Sequence, residues 1–386
     1  MLSRDELAGW LRLSTTVGVS RANARKLLKA FGSPERVLGA GDDALRALCG
    51  SDVAHALRQD DAAHARQLDA TRRWLDGATD AAPRDVVALG DPRYPDLLLQ
   101  AADPPLLLFT AGRAELLSTA GVAIVGSRRA TPQGMDNARE FARALSEQGV
   151  TVVSGLAQGI DGAAHDGALA GRGSTVAFVG TGLDRVYPPG HAKLTRRIAE
   201  QGLVASEYPL GTPARPDNFP RRNRLIAGIT RGTLVVEAAL ESGSLITARL
   251  ALECGRDVFA IPGSIHSPQS HGCHRLIQEG AKLVECAADV LRELPSGDAP
   301  SRARLSPPQP SLFAQVAVQT DANDMETRGP DADLRDALGH DPVSFDALSA
   351  RTGLPADQLA ARLLDMELAG AVQRLPGGLL QRRGRA

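Results

Sequence analysis

The run Val122-Ala-Ile-Val-Gly-Ser-Arg-Arg-Ala-Thr131 carries a short apolar stretch straight into a glycine, two hydroxyls and two arginines. An amphipathic segment of helical length follows, Gly134 to Gly149. Then come apolar residues at Thr151 to Ser154, a helical segment at Gly159 to Gly171, and another apolar stretch at Thr175 to Val179. Short apolar strands alternating with helices predict a parallel, doubly wound sheet. The same texture begins near residue 84 with Val86 to Leu89 and Leu106 to Phe109, and continues through Thr233 to Val236 and Val258 to Ile261. In such a sheet, ligands bind beyond the carboxyl ends of the strands, where helix N-termini turn N–H groups outward.

Outward from this core, residues 1 to 75 carry helical periodicity and almost no strand signal. Thr16-Val-Gly-Val-Ser20 reads as a turn ending in an N-cap, followed by a helix with Ala24, Leu27 and Leu28 on one face and a stop at Gly32. The pattern is SAM/helix-hairpin-helix-like; its turn can contact a phosphate, or the unit can be a small packing module. The core is expected over 80–293. Residues 294–330, with six scattered prolines and no periodicity, read as a flexible linker. Beyond them, helical patterns at Leu334 to Leu338, Phe345 to Leu348 and Leu359 to Leu368, then a hairpin at Val372 to Gln381, predict a winged-helix domain over 331–386.

The 386 residues suit two or three domains, and 43% hydrophobic residues are enough to bury a core. The start of the chain is too charged for a signal peptide, and no apolar run reaches the ~18 residues that span a bilayer. Four scattered cysteines without CxxC point to a reducing, cytoplasmic setting. The formal charge of −1 lacks the basic excess of many nucleic-acid binders, and 3% aromatics argue against a tiled stacking surface.

Chemistry is therefore sought at the strand ends. Gly126, Ser127, Arg128 and Arg129 form an anion-binding candidate, although the spacing is neither GxGxxG nor GxxxxGK[ST]. Ser154, Gly155, Gln158 and Gly159 form a second. Asp161 and His165 follow at i and i+4, either as an acid/base pair or as groups that orient the loop. Gly180-Thr-Gly-Leu-Asp184, running on to Tyr187, allows close backbone approach or simply a tight turn. Phe219-Pro-Arg-Arg-Asn-Arg224 is the most basic stretch: residues 213–232 hold five arginines against one acid, a local balance of +4. Arg221, Arg222 and Arg224 suit phosphates, Asn223 lies among them, and Phe219 offers a stacking face. Ser242, Gly243 and Ser244 form a further cradle, with Glu237 or Glu241 as candidate catalytic carboxylates if the site is enzymatic. His266, His271, Cys273 and His274 match no strong zinc spacing, and no metal or cofactor is expected.

In this order, these strings closely resemble the DNA-processing protein A (DprA/Smf) family. Tyr94-Pro95, Asp103-Pro-Pro105, Ala164-His165, Ser206-Glu207, Ser242-Gly-Ser-Leu-Ile-Thr-Ala248, Phe259-Ala-Ile-Pro-Gly263 and Gly280-Ala281 add to the match. The resemblance implies an extended Rossmann-like core that binds single-stranded DNA, forms homodimers and loads the RecA recombinase during natural transformation, with single-strand binding protein displaced. It also implies that Arg128, Arg221, Arg222 and Arg224 contact phosphates, and that the chain is a binding protein without turnover. The rival is a nucleoside-phosphate-processing enzyme related to phosphoribohydrolases. The chain has Ser242-Gly-Ser-Leu-Ile-Thr247 where those enzymes carry PGGxGTxxE, which disfavours that chemistry. A duplex-binding transcription regulator is a third reading, on the winged helix alone.

Overall fold

The computed structural model describes residues 2–59, 62–119, 121–294 and 332–382, so nearly all of the expected linker lies outside the described residues. Six helices come first: α1 (Arg4–Thr15), α2 (Arg21–Phe31), α3 (Pro34–Gly39), α4 (Asp42–Cys49), α5 (Ser51–Arg58) and α6 (Ala62–Asp76). As the spacing predicts, the Ser20 hydroxyl caps α2 by accepting from the Asn23 N–H at 3.1 Å, and Gly32 ends it at φ +90°. The sheet is built from β1 (Arg84–Ala88), α7 (Asp96–Leu99), β2 (Leu107–Gly112), β3 (Gly121–Val125), α8 (Pro132–Glu147), β4 (Thr151–Ser154), α9 (Ile160–Ala168) and β5 (Thr175–Phe178). It continues through α10 (Ala192–Gln201), β6 (Leu203–Ser206), α11 (Asn218–Ile229), β7 (Gly232–Val235), α12 (Ser244–Glu253), β8 (Asp257–Ala260), α13 (His271–Gln278), β9 (Lys282–Leu283) and α14 (Ala287–Glu293).

The nine strands lie in the order β1-β2-β6-β5-β4-β3-β7-β8-β9. Strands β3 to β9 pair in parallel, the doubly wound arrangement the alternation predicts. Two features depart from it. Strands β1 and β2 run antiparallel to their neighbours, because no crossover helix long enough to reverse the chain separates them. Strands β6 and β9 are not among the expected strands; β9, two residues long, is too short for a periodic signal.

Strand residues alternate between two cores as a pleat requires. Ala123, Val125, Val153 and Val176 face one side with α11 and α12, while Val122, Ile124, Val152 and Leu234 face the other with α8 and α9. The N-terminal helices share a third core with the sheet edge: Leu11, Leu27 and Leu57 pack with Val86, Leu107 and Phe109. The C-terminal unit has α15 (Ala332–Leu338), β10 (Val343–Ser344), α16 (Phe345–Thr352), α17 (Ala356–Leu368), β11 (Val372–Arg374) and β12 (Leu379–Arg382), a winged helix with its wing where the hairpin was expected.

A charge cluster fastens the N-terminal helices to the sheet. Arg21 meets Asp103 at 2.6 Å and Glu207 at 2.9 Å, Arg25 meets Asp103 at 2.6 Å, and Arg224 of α11 pairs with Glu207. Burial pushes the Glu207 carboxyl up, and Arg224 and Arg21 pull it back. With 4% of its side chain exposed, Glu207 is the least replaceable member. Glu207→Gln leaves Arg224, 17% exposed, without its closest counter-charge and is expected to lower unfolding free energy by about 3 kcal/mol. Asp103→Asn, at a site 35% exposed, is expected to cost ~1 kcal/mol or less. Urea denaturation of the two variants measures the order, which equal losses would contradict.

Candidate functional site

The site grows from the loops that leave β3, β4 and β5. The β3 loop turns so tightly over the start of α9 that a Cβ on Gly159 would lie 2.4 Å from the Ser127 carbonyl oxygen, and Gly159 itself sits at φ +75°. No other residue type fits there without moving the loop. Leu156 in the β4 loop adopts φ +58°, a conformation that costs a side-chain-bearing residue about 1–3 kcal/mol. Several groups hold it there. The Asp161 carboxylate accepts the Gly155 and Ala157 N–H groups at 3.1 and 3.3 Å, His165 Nε2 accepts the Leu156 N–H at 3.2 Å, and His191 Nδ1 lies 3.1 Å from the Leu156 carbonyl.

The orienting reading of Asp161 and His165 is thus the one the geometry fits. His165 Nδ1 lies 2.7 Å from Thr175 Oγ1, which itself donates to the Val152 carbonyl, so both ring nitrogens have structural partners. Burial, with Arg222 and His191 adding to it, lowers the His165 pKa to about 3 and keeps the ring neutral. Glu237 is similarly occupied. It accepts the Thr131 N–H at 2.9 Å and the Thr131 hydroxyl at 2.5 Å, at the N-terminus of α8, while burial raises its pKa.

Helix α11 divides the predicted arginines. Arg221 is exposed, as are Arg128, Arg129, Arg215 and Gln158. Arg222 is buried at 4% exposure, and its guanidinium donates to the carbonyls of Gly155 and Phe178 at the ends of β4 and β5. Arg224 is committed to Glu207 in the cluster described above. The expectation that Arg222 and Arg224 contact phosphate is therefore corrected: both guanidinium groups are spent inside the protein. Ser154 is likewise structural, fully buried and donating to the Ile124 carbonyl at 2.6 Å. Gly155 lies against Arg222, where a Cβ would meet the guanidinium at 2.5 Å. Asn223 accepts from Arg222 Nε. Ser127 is buried at 8% exposure and its hydroxyl accepts the Arg129 N–H, fixing the loop; Gly126 has room only for hydrogen, with Ile160 2.6 Å from a Cβ.

What comes together at the surface is Arg128, Phe219 and Tyr187. The Arg128 guanidinium lies 5.6 Å from the centre of the half-buried Phe219 ring, within cation–π range. Tyr187, 45% exposed, packs 5.3 Å from the same ring. Gly180 makes room, since a Cβ there would touch Phe219 at 3.1 Å, and Asn218 anchors the start of α11 by donating to the Gly180 carbonyl at 2.9 Å. Tyr187 carries little signal in the sequence, where it is one of three tyrosines and lies in a strand-end loop. Ser242, Gly243 and Ser244 open α12 beyond β7, with the two hydroxyls 2.7 Å apart and bonded to each other. His271 and His274 contact the carbonyls of Ile265 and Gly263, and Cys273 is buried; among the described residues no group of three such side chains is placed to hold a metal.

Exposed guanidinium groups beside two rings, on the carboxyl edge of a Rossmann-like sheet, can hold phosphate oxygens while flat groups pack on the aromatics. Residues 85–295 match the family described as DNA recombination-mediator protein A, and residues 318–378 match the DprA winged helix domain. The chain belongs to this family. It is 42% identical over 296 residues to Protein Smf of Escherichia coli, covering 75% of each chain. It is 50% identical over 203 residues to the DNA processing protein DprA of Streptococcus pneumoniae, covering 53% of this chain and 72% of that one. The X-ray structure of the S. pneumoniae protein superposes with TM-score 0.65 at 37% identity, over 77% of this chain and 99% of that one. DNA processing protein A of Helicobacter pylori, whose structure is described for its single-stranded DNA binding mode, gives TM-score 0.50 at 30% identity over 54% of this chain and 94% of that one.

The neutral His165 makes a pH prediction. Its folded pKa lies below its unfolded value of about 6.5, so the unfolded chain binds more protons between about pH 3 and 6.5, and this group's stabilisation is lost as pH falls through that window. It contributes a slope of ~1.4 kcal/mol per pH unit there. The raised carboxyls of Glu207 and Glu237 oppose it, so the comparison is between proteins. His165→Asn is expected to lose less stability than the parent between pH 7 and pH 5 in denaturant titrations.

Proposed function

We propose that this chain is a single-stranded DNA-binding recombination mediator that protects incoming DNA and loads RecA onto it during natural transformation. The observation that carries the reading is the exposed group of Arg128, Phe219 and Tyr187 at the sheet's carboxyl edge, flanked by Arg129, Arg215 and Arg221. Arginines take the backbone without reading bases, and the two rings take bases of any identity, so binding is sequence-tolerant and salt-sensitive. The family supports DNA as the polyanion, and the H. pylori relative supports the single-stranded form. RecA loading and displacement of single-strand binding protein rest on the family resemblance.

Three variants test the site by fluorescence anisotropy with labelled oligonucleotide across a salt series. Arg128→Ala is expected to weaken binding and lower the salt slope by about 0.7, the value for one lost contact on a single strand. Phe219→Ala is expected to weaken binding by ~1–3 kcal/mol while the slope holds. Arg224→Ala is expected to melt earlier and keep the parent's slope. Parent-like binding by the first two would sink the proposal. On DNA precoated with single-strand binding protein, Phe219→Ala is also expected to slow RecA filament formation.

The proposed mediator acts as a homodimer. Strand β9 forms a sheet edge with Leu283 half exposed, and Leu240 and Ile265 line an open groove of about 460 Å³ beside His271 and His274. A second copy would cover such an edge and remove its apolar surface from water. Leu283→Asp is expected to halve the mass measured by sedimentation equilibrium; a parent that sediments as a monomer would rule the dimer out.

A further inference from the structure

The winged helix has the architecture of a duplex-DNA reader, and the charges of its recognition helix are wrong for that task. In a helix-turn-helix reader the N-terminal residues of the recognition helix meet base edges while basic side chains hold phosphates. Here that helix is α17, and its first turn presents Asp357. Its charged residues are Asp357, Arg362, Asp365 and Glu367, a balance of −2, and residues 331–386 as a whole hold eight acids against seven arginines, a balance of −1 without basic excess. In the wing, Arg374 is paired with Glu367 at 3.1 Å, the tip is Pro376-Gly-Gly378, and Arg382 is exposed at the end of β12, away from the first turn of α17 in sequence.

The outer face of α17 carries instead an apolar stripe. Leu359, Leu363 and Met366 are buried in the unit's own core. Ala361, Leu364 and Leu368, at i, i+3 and i+7, lie on the opposite face, with Leu364 51% and Leu368 79% exposed. Asp357 and Asp365, both exposed, border the stripe. Two large exposed leucines a turn apart, rimmed by carboxylates, form an unpartnered helix face whose complement is apolar at the centre and basic at the edge. A second copy of this face would set carboxylate against carboxylate, and a duplex would set carboxylates against phosphates.

We propose that the exposed face of α17 docks an amphipathic helical segment of a partner protein, its leucine-type face on Leu364 and Leu368 and its lysines or arginines on Asp357 and Asp365. The test uses the full chain and a labelled synthetic helical peptide with leucines at i and i+4 flanked by lysines, read by fluorescence anisotropy. Controls are the same peptide with glutamates in place of lysines, and a short duplex. The expected result is saturable binding of the lysine peptide, at least ~tenfold weaker for Leu364→Ser/Leu368→Ser, weakened with loss of salt dependence for Asp357→Asn/Asp365→Asn, and absent for the glutamate peptide. Parent-like melting of the serine variant shows that it is folded, as expected for substitutions at exposed positions. Equal affinity of parent and serine variant for the lysine peptide, including no binding by either, would overturn the proposal. So would duplex binding that depends on Leu364 and Leu368, or a change in sedimenting mass of the serine variant that assigns the face to self-association.

Discussion

The guanidinium of Arg222, buried among the ends of β4 and β5, is the contact on which the arrangement of the site depends. Its donors go to the Gly155 and Phe178 carbonyls, backbone acceptors that the sheet ladder leaves at its edge. Burial lowers the Arg222 pKa to about 10, Asp161 opposes that shift, and the charge is retained at neutral pH. The buried guanidinium is costly to desolvate, and α11 cannot slide along the sheet without orphaning both carbonyls and the charge. Phe219 stands one turn earlier on that helix, so its position over the β3 loop is set by an interaction that never faces solvent.

The same helix shows how three neighbouring arginines come to differ. Successive residues on a helix are about 100° apart, so Arg222 is turned away from Arg221, while Arg224, one turn on and about 60° round from Arg221, reaches Glu207. Arg221 points to solvent, Arg222 into the sheet, and Arg224 toward Glu207 and the N-terminal helices. Through Arg224 and Glu207, the contact of α2 with Asp103 is one side chain removed from the helix that carries Phe219. The N-terminal helices are thus tied to α11 by ions as well as to the sheet by the apolar core shared with β1 and β2.

Much of this was legible in the sequence, and the illegible part has a physical cause. Alternating apolar strands and helices announce the parallel sheet because every central strand is buried on both faces and reads as an unbroken apolar run. The Gly180-Thr-Gly182 stretch reads equally as close ligand approach or a tight turn, and at Gly182 packing alone requires glycine, since a Cβ there would lie 2.7 Å from the Pro209 carbonyl oxygen. Composition and spacing are silent on which arginine is buried, since that depends on helix phase relative to a sheet whose strand order is not local in sequence. The antiparallel pairing of β1 and β2 and the short strands β6 and β9 escape for a related reason: β2 and β6 pair although they are far apart in the chain, and β9 is a two-residue edge defined only by its pairing with β8. Tyr187 escapes because only the fold brings it beside Phe219.

The formal charge of −1 averages over opposed surfaces. Arg128, Arg129, Arg215 and Arg221 are exposed at the carboxyl edge of the sheet, whereas α17 carries a net −2. Surface charges act over about a Debye length, ~8 Å at physiological salt, so each surface recruits partners by its own local field. A near-neutral sum is therefore compatible with one face built for a polyanion and another that repels it. The segregation has a structural consequence as well. In the binding mode proposed above, a strand held at the sheet edge would not be drawn onto the winged helix, so the apolar, carboxylate-rimmed face of α17 would stay free while the basic edge is occupied.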